Sequence, residues 1–291
     1  MPLLAGAHTL RGELDAATAT LATAGIATPR VDAEWLLAGV LGAGRFAAQL
    51  DLDRTLARPL AAGYRAAVRR RARREPLQRI LGREAFRGLS VRLTGDVLVP
   101  RPETERLVDW ALELLPPARA GRRPLAVDLG TGSGCIACAL ASERRDLAVL
   151  AVDLSPAAAA VARGNVVALD LARRVSVVAG NLLDAVAAGR ADLIVSNPPY
   201  LPSALVPTLE PEVWRWEPRI ALDGGPDGLT VMRTVVAGAR GRLRSGGALV
   251  LETAGGAQAV AVAGLLDVAG FGTVAVRADL AGVDRFVAGR A

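Results

Sequence analysis

The residues best suited to chemistry are the tetrad Asn197-Pro198-Pro199-Tyr200, which follows a short apolar run. The asparagine side chain offers an acceptor and two donors, and the prolines stiffen the turn and leave carbonyls free to accept. The NH2 group of a planar amide can donate to the Asn197 side-chain oxygen and to the Pro198 carbonyl, while the Tyr200 ring stacks on the amide. Two such acceptors favour a pyramidal nitrogen whose lone pair is no longer delocalised. The tetrad therefore predicts transfer to an amide-type nitrogen, with Asn197, Pro198 and Tyr200 as catalytic residues and Asn197 to Tyr200 contacting the substrate.

A second candidate site is the glycine-rich segment Gly130-Thr131-Gly132-Ser133-Gly134, which follows the apolar run 125–129. Glycines let a backbone turn sharply and approach a ligand closely, and the N–H groups at the start of a helix face that ligand. A dinucleotide fingerprint places its third glycine three positions after the second. The tighter spacing here suits S-adenosylmethionine, which has no pyrophosphate. We predict that all five residues bind this cofactor.

Two further strand ends complete the predicted cofactor site. Asp153 lies about 20 residues beyond the glycine loop, where an acid accepts hydrogen bonds from ribose hydroxyls. Its alternative role is to cap the next helix, which Ser155 can do instead. Asn181 and Leu182 follow the next strand, at the position that flanks adenine in Rossmann-like folds that bind this cofactor. Asn197 joins this set, and no metal is predicted because a sulfonium is already a strong leaving group.

The pattern of apolar residues over 8–80 predicts helices. Apolar residues recur at helical spacing in two sets: Leu10, Leu14 and Leu21, then Val31, Trp35, Leu36 and Val40. A third helix is predicted from Leu56 to Arg74, because Pro76 cannot continue it. The basic run 69–74 at its end is either a solvated helix terminus or a patch that contacts phosphates.

From Pro124 onward, apolar strands alternate with helices, which indicates an α/β fold with a mostly parallel sheet. The predicted strands are Leu125–Leu129, Ala148–Asp153, Val175–Ala179, Asp192–Ser196, Ala248–Glu252, Thr273–Arg277 and Asp284–Ala288. The loop 278–283 is too short for a crossover helix, so the last strand should be antiparallel. Alternation over 84–99 predicts a β-hairpin. We therefore predict a small all-helical domain (1–82), a β-hairpin linker (83–99) and a Rossmann-like methyltransferase domain (100–291).

Composition narrows the class of protein further. The chain has 291 residues, a net charge of +6 and two cysteines, and its basic residues are all arginine. No apolar run reaches the roughly 18 residues of a membrane span, and no signal peptide is evident, which favours a cytoplasmic protein. The arginines suit an RNA-associated or acidic partner, or reflect codon bias. Cys135 and Cys138 are interpreted as core residues, and His8 as a surface residue.

The sequence resembles the peptide chain release factor glutamine methyltransferases, the HemK/PrmC family, over nearly the whole chain. The motifs that carry the resemblance are Arg30–Leu37, Glu75–Gly82 with Phe86, Val99–Glu105, Glu217–Arg219 with Ala221–Leu229, and Asp279–Arg285. Leu182 departs from the aromatic residue that many bacterial members carry there, so its contact with adenine cannot be a ring stack.

The resemblance implies methylation of the glutamine in the Gly-Gly-Gln tripeptide of class I release factors. It also implies that S-adenosylmethionine binds residues 130–134, Asp153, Leu182 and Asn197, and that the helical domain docks the release factor. No membrane and no direct sequence-specific nucleic-acid binding is expected. Two alternatives stay open: an adenine amino methyltransferase acting on nucleic acid, which uses a similar tetrad, and a non-catalytic cofactor-binding partner protein.

Overall fold

The computed structural model describes residues 9–44, 52–117 and 122–291, so His8 lies outside the described residues. The helices are α1 (Leu10–Thr23), α2 (Pro29–Leu41), α3 (Arg58–Ala72), α4 (Leu77–Leu81), α5 (Thr104–Leu114), α6 (Cys135–Glu143), α7 (Pro156–Ala168), α8 (Pro211–Trp214), α9 (Thr230–Arg242) and α10 (Ala257–Val268). The strands are β1 (Arg83–Phe86), β2 (Leu89–Arg92), β3 (Leu125–Leu129), β4 (Ala148–Asp153), β5 (Val175–Ala179), β6 (Ala191–Ser196), β7 (Leu243–Glu252), β8 (Gly272–Ala278) and β9 (Asp284–Arg290).

These elements pack as two compact units. The helical unit comprises residues 1–82 together with the distant segment 210–216. A sheet unit comprises residues 83–209 and 217–291. The role of residues 83–99 as a linker between domains remains a prediction.

The helical unit is built on the apolar faces of α1, α2 and α3. Leu14 and Leu21 are fully buried, as their spacing predicts. In α2, Leu36 is buried as predicted and Leu37 is fully buried, but Trp35 is 42% exposed, so the prediction that Trp35 lies on the buried face is wrong. The cause is Tyr64 of α3, which is fully buried and donates a hydrogen bond to the Ala33 carbonyl at 3.0 Å. The side of α2 that carries the small, fully buried Ala33 therefore faces α3.

The basic run at the end of α3 forms ion pairs within the helical unit. The Arg71 guanidinium, which is nearly buried, donates to Asp32 at 2.7 Å and to Glu212 at 2.9 Å. Arg74 binds the same Glu212 carboxylate at 2.7 Å. A buried guanidinium that loses its carboxylate leaves an uncompensated charge, which is costly. These two arginines are therefore structural, which neither of the two interpretations of the run anticipated.

Trp214 and Trp216, the two tryptophans of segment 210–216, each lie beside an arginine of the helical unit. The Arg79 guanidinium lies 5.6 Å from the centre of the Trp216 ring and also donates to the Trp216 carbonyl. Arg215 stacks over the Trp214 ring at 4.8 Å. Both geometries are cation–π contacts.

The sheet unit begins with the β1–β2 hairpin, in which Phe86 pairs with Leu89. The two turn residues, Arg87 (φ 48°) and Gly88 (φ 75°), both adopt the left-handed conformation of a tight hairpin turn. The hairpin ends at Arg92, earlier than predicted. The apolar residues that follow do not continue a strand: Val97 and Val99 pack in a small cluster against α7.

The main sheet has seven strands in the order β5-β4-β3-β6-β7-β9-β8. All neighbouring pairs up to β7 are parallel, and β9 is antiparallel to both β7 and β8. The α/β fold with an antiparallel last strand is thus confirmed. Since the carboxyl ends of parallel strands lie at one edge of such a sheet, the loops after β3, β4, β5 and β6 meet there.

Helices cover both faces of this sheet. Successive residues of β7 alternate between two buried clusters: Val250 packs on the side of α5 and α6, whereas Leu249 and Leu251 pack on the side of α9 and α10. This period of two explains why the strands read as continuous apolar runs. Across residues 9–44, 52–117 and 122–291, no helix combines the length and apolarity that a membrane crossing requires.

Cys135 and Cys138 are free thiols buried at the start of α6. Burial, more than any neighbouring charge, raises the pKa of both to about 12. A thiol held protonated in this way is a poor nucleophile. The pair is part of the core, as the sequence indicated.

Candidate active site

The loop after β3 has two open glycines and one packed glycine. Gly130 (φ 68°) and Gly132 (φ 54°) are left-handed, and a Cβ added to either would meet nothing within 4 Å. At Gly134 (φ 81°) an added Cβ would lie 3.1 Å from the Ala162 Cβ of α7. The first two glycines therefore leave space for a ligand along the backbone, whereas the third allows the loop to pack on α7.

Asp128, the fourth residue of β3, hydrogen-bonds with this loop and with the start of α6. Its Oδ2 accepts hydrogen bonds from the Thr131 hydroxyl at 2.6 Å and from the Ala137 amide at 3.2 Å. Its Oδ1 is buried and has no partner among the described residues. Burial is the main reason that the pKa of this carboxyl rises to about 7, although its two hydrogen bonds oppose the rise.

A pH-dependent stability follows from Asp128. The folded state holds its proton more tightly than the unfolded state, so its stabilising contribution is complete below about pH 4 and is lost as pH rises through about 7. We expect Asp128→Asn, which mimics the protonated form, to become more stable than the parent above neutral pH, by on the order of 4 kcal/mol at most. Urea unfolding at pH 5 and pH 8.5 measures this, with Asp267→Asn, an exposed exchange on α10, as control. A difference between Asp128→Asn and the parent that is independent of pH would contradict the assignment.

Asp153 ends β4 and faces the same loop. One carboxylate oxygen accepts from the Gly132 amide at 2.7 Å, and the other accepts from the Ser155 amide at 2.9 Å. Ser155 itself caps α7, since its hydroxyl accepts from the Ala158 amide at 3.2 Å. Ser155 therefore does the capping that was the alternative role for Asp153.

A cavity of about 220 Å³ opens where these loops meet. Of the predicted site residues, its lining includes Gly130, Gly132, Asp153, Asn181, Leu182, Asn197 and Pro199. Leu182 is half-buried and has a left-handed backbone (φ 45°), which is unusual for a residue with a branched side chain. The cavity brings together the ends of four neighbouring parallel strands.

The other predicted residues lie behind this lining. Thr131 and Ser133 are almost completely buried, and the Ser133 carbonyl accepts from the Asn165 side chain at 2.8 Å. With Gly134, Pro198 and Tyr200, they are not among the lining residues. Their predicted contacts with cofactor or substrate remain predictions.

Two lining segments were not predicted from the sequence. These are Asp96 to Leu98, in the loop before α5, and Ile220, Ala221 and Asp223, with Val231 of α9. Both segments adjoin motifs that carry the family resemblance. The first directly precedes Val99–Glu105, and the second belongs to the stretch 217–229. The buried Glu217 side chain joins those motifs, because it accepts from the Arg101 guanidinium at 2.7 Å and from the Val99 amide at 3.4 Å.

The tetrad begins where β6 ends beside β3. The Ser196 hydroxyl donates to the Leu129 carbonyl at 2.7 Å, which fixes the two strand ends together. Asn197 Nδ2 then donates to the Thr104 hydroxyl at 3.1 Å. Among the described residues, no hydrogen bond to Asn197 Oδ1 is found, so an acceptor is left for a ligand. The half-buried Tyr200 follows, and burial raises its pKa to about 12, so the phenol stays neutral.

A second glycine-rich loop, residues 224–228, packs against the backbone of the tetrad. The Gln258 side chain donates to the carbonyls of Tyr200 at 2.9 Å and Gly228 at 3.3 Å. A Cβ on Gly228 would lie 2.3 Å from the Tyr200 carbonyl oxygen, and one on Gly224 would lie 2.7 Å from the Pro199 carbonyl oxygen. Only glycine permits this approach of one backbone to another.

The residues present fit S-adenosylmethionine. The two open glycines leave a cradle without Cβ atoms, and the Asp153 carboxylate lies beside that cradle. A Rossmann-like sheet with this edge and an Asn-Pro-Pro-Tyr tetrad defines a methyltransferase that uses S-adenosylmethionine.

Comparisons with known proteins agree with this class. Residues 14–82 match the model of the PrmC N-terminal domain, and residues 108–206 match that of the methyltransferase small domain. A release factor glutamine methyltransferase from Geobacter sulfurreducens is 43% identical over 97% of this chain and 96% of that protein. One from Deinococcus radiodurans is 44% identical over 97% of this chain and 98% of that protein. The chain therefore belongs to the release factor glutamine methyltransferase family.

Solved structures show the same fold at low sequence identity. The hMettl16 catalytic domain, in complex with MAT2A 3'UTR hairpin 1, is 19% identical and has a TM-score of 0.58 over 77% of this chain and 80% of that chain. A human methyltransferase 10 domain containing protein is 18% identical, with a TM-score of 0.52 over 69% of this chain and 88% of that chain. These similarities support the fold alone.

Proposed function

We propose that this protein transfers a methyl group from S-adenosylmethionine to the side-chain amide nitrogen of the glutamine in the Gly-Gly-Gln tripeptide of class I release factors. The observation that carries the proposal is the arrangement around Asn197. Asn197 lines the cavity, its amide nitrogen donates to Thr104, and its side-chain oxygen has no hydrogen-bond partner among the described residues. That oxygen is suited to accept one hydrogen of a substrate NH2 group.

The cofactor would be held by the residues that line the cavity. Gly130 and Gly132 offer open backbone, Asp153 offers carboxylate oxygens for hydroxyl groups, and Asn181 and Leu182 offer a polar and an apolar contact for adenine. When bound, S-adenosylmethionine supplies a methyl group on a positively charged sulfur, which is a strong leaving group. No protein nucleophile is therefore needed.

The tetrad prepares the substrate nitrogen. Asn197 Oδ1 and the Pro198 carbonyl accept the two amide hydrogens, which favours a pyramidal nitrogen and directs its lone pair toward the cavity. The Tyr200 ring, held through its backbone by Gln258, stacks on the amide plane. The acceleration comes mainly from positioning, which can supply a large part of the barrier reduction. The methylated nitrogen then gives its extra proton to water, so no dedicated base is required.

The helical unit is proposed to dock the release factor, because the family resemblance extends through residues 14–82. A cytoplasmic location belongs to the same proposal, since release factors act on ribosomes.

Mass spectrometry of the reaction product tests the proposed substrate. The purified protein is incubated with S-adenosylmethionine and a class I release factor, and the digested factor is searched for an added methyl group. We expect a single methyl group on the glutamine of Gly-Gly-Gln, and none on a control factor in which that glutamine is replaced by glutamate. Methylation of DNA or RNA adenine without any methylation of the factor would overturn the proposal.

A further inference from the structure

A buried carboxyl group lies behind the tetrad and is not part of the proposed reaction. Glu252 is the last residue of β7, and only 1% of its surface is exposed. Its neighbour Leu251 pairs with Ser196, so Glu252 lies directly beside the strand end that leads into Asn197. Burying a carboxyl group is costly unless it has a partner, so its presence here calls for a structural reason.

The neighbours of Glu252 include side chains of the active site. Thr104 and Asn197 lie close enough to its carboxyl group to lower its pKa. Thr104, which is 2% exposed, also accepts from Asn197 Nδ2 at 3.1 Å. Asn197 lines the cavity, whereas Thr104 and Glu252 are not among the lining residues. The second carboxyl oxygen of Glu252, Oε2, is buried without a partner among the described residues.

An asparagine side chain can be turned over with little change in shape, because its oxygen and its nitrogen are nearly the same size. In one orientation the oxygen faces the cavity and can accept from a substrate NH2 group. In the other orientation the NH2 group of Asn197 faces the substrate NH2, and two donors oppose each other. Something must select the first orientation if Asn197 is to bind an amide nitrogen.

We propose that Glu252 and Thr104 are positioning residues that accept the amide hydrogens of Asn197 and thereby keep its Oδ1 turned toward the substrate nitrogen. The proposal rests on the proposed function, in which Asn197 Oδ1 is a substrate contact. It adds two residues that touch neither substrate nor cofactor. A carboxylate is suited to this role because it has only acceptors, whereas a glutamine in its place also presents donors.

The charged state of Glu252 determines how well it performs this role. Burial is the main cause that raises its pKa to about 7, and the nearby Glu103 also raises it, while Thr104, Asn197 and Arg285 lower it. The neutral phenol of Tyr200 also faces the group. Above about pH 7 the ionised carboxyl can only accept, and below it the protonated carboxyl can also donate and so competes for Asn197 Oδ1.

A nuclear magnetic resonance experiment reads the orientation directly, without cofactor or substrate. The chain contains three asparagines, Asn165, Asn181 and Asn197. Labelling with 15N-asparagine therefore yields three side-chain NH2 signals, and the one that is lost in Asn197→Ala identifies the site. In the parent we expect the Asn197 signal to shift with pH, with a midpoint of about 7, and to exchange slowly with water.

Four variants isolate the two positioning residues. Glu252→Gln and Thr104→Val remove one acceptor each, Thr104→Ser keeps the hydroxyl, and Glu113→Gln is a matched exchange at an exposed ion pair with Arg277. In Glu252→Gln we expect the pH-dependent shift of the Asn197 signal to vanish and its exchange with water to become faster. In Thr104→Val we expect faster exchange, and in the other two variants we expect the parent spectrum.

Kinetics give the second readout. We expect kcat to fall by on the order of 100-fold in Glu252→Gln and about tenfold in Thr104→Val, with KM for both substrates within about twofold of the parent. Thr104→Ser should retain most of kcat. An Asn197 signal that is unchanged in both Glu252→Gln and Thr104→Val would overturn the proposal, as would a loss of kcat that Thr104→Ser does not restore. The expected spectra combined with no methylation of any release factor would support the orientation of Asn197 and reject the proposed substrate.

Discussion

Replacing Asn197 with alanine is expected to lower kcat by about 100- to 1000-fold, the range seen when one positioned hydrogen-bonding group is lost from an active site. The substitution removes the acceptor at the cavity and leaves the Thr104 hydroxyl without its donor. Binding of S-adenosylhomocysteine, measured by calorimetry, should change much less, because the glycine loop and Asp153 are untouched. Single-turnover kinetics with a release factor measure the loss.

Asn181→Ala is the matched control for this experiment, because it is the same exchange at another residue of the cavity lining. It should weaken cofactor binding and raise the KM for S-adenosylmethionine, with kcat near that of the parent. Parent-like turnover in Asn197→Ala would exclude Asn197 as a substrate contact.

The second large effect is expected from Gly228→Ala. The backbone at Gly228 is left-handed (φ 77°), and the new Cβ would lie 2.3 Å from the Tyr200 carbonyl oxygen. Either the loop or the tetrad must move, and Gln258 then cannot bridge both carbonyls. We expect the free energy of unfolding to fall by on the order of 2–3 kcal/mol and kcat to fall by on the order of 100-fold.

Gly164→Ala in α7 is the control for a change from glycine to alanine. An added Cβ at this helical position meets nothing within 4 Å, so the substitution should raise stability slightly and leave kcat unchanged. Urea unfolding and steady-state kinetics are measured on both variants. If Gly228→Ala behaved like Gly164→Ala, the close packing of this loop on the tetrad would be refuted.

The strands of the sheet were predictable because their pattern is local. Leu125–Leu129, Ala148–Asp153 and Val175–Ala179 have the predicted ends, since each is a short apolar run bounded by turn residues. The antiparallel last strand followed from a loop too short for a crossover. The residues of the glycine loop and tetrad are found at the strand ends where they were predicted, although their roles remain proposals.

What the sequence could not supply were contacts between distant segments. Trp35 was assigned to the buried face of α2 because spacing alone cannot reveal that Tyr64 packs against Ala33. The hairpin was extended to residue 99 because Val97 and Val99 alternate like a strand, although they pack against α7. Glu252 was predicted only as the end of a strand, since nothing local indicates that Thr104 and Asn197 meet it.

The segment 210–216 has a consequence for the order in which the protein is made. Glu212 provides the carboxylate for Arg71 and Arg74, yet it leaves the ribosome well over a hundred residues after them. Until then Arg71 has only Asp32 as a carboxylate partner, and the carboxylates that pair with Arg74, those of Glu210 and Glu212, have not been synthesised. The helical unit therefore reaches its final charge balance only late in translation, after β3 to β6 have emerged, and a nascent chain cannot complete its two units strictly one after the other.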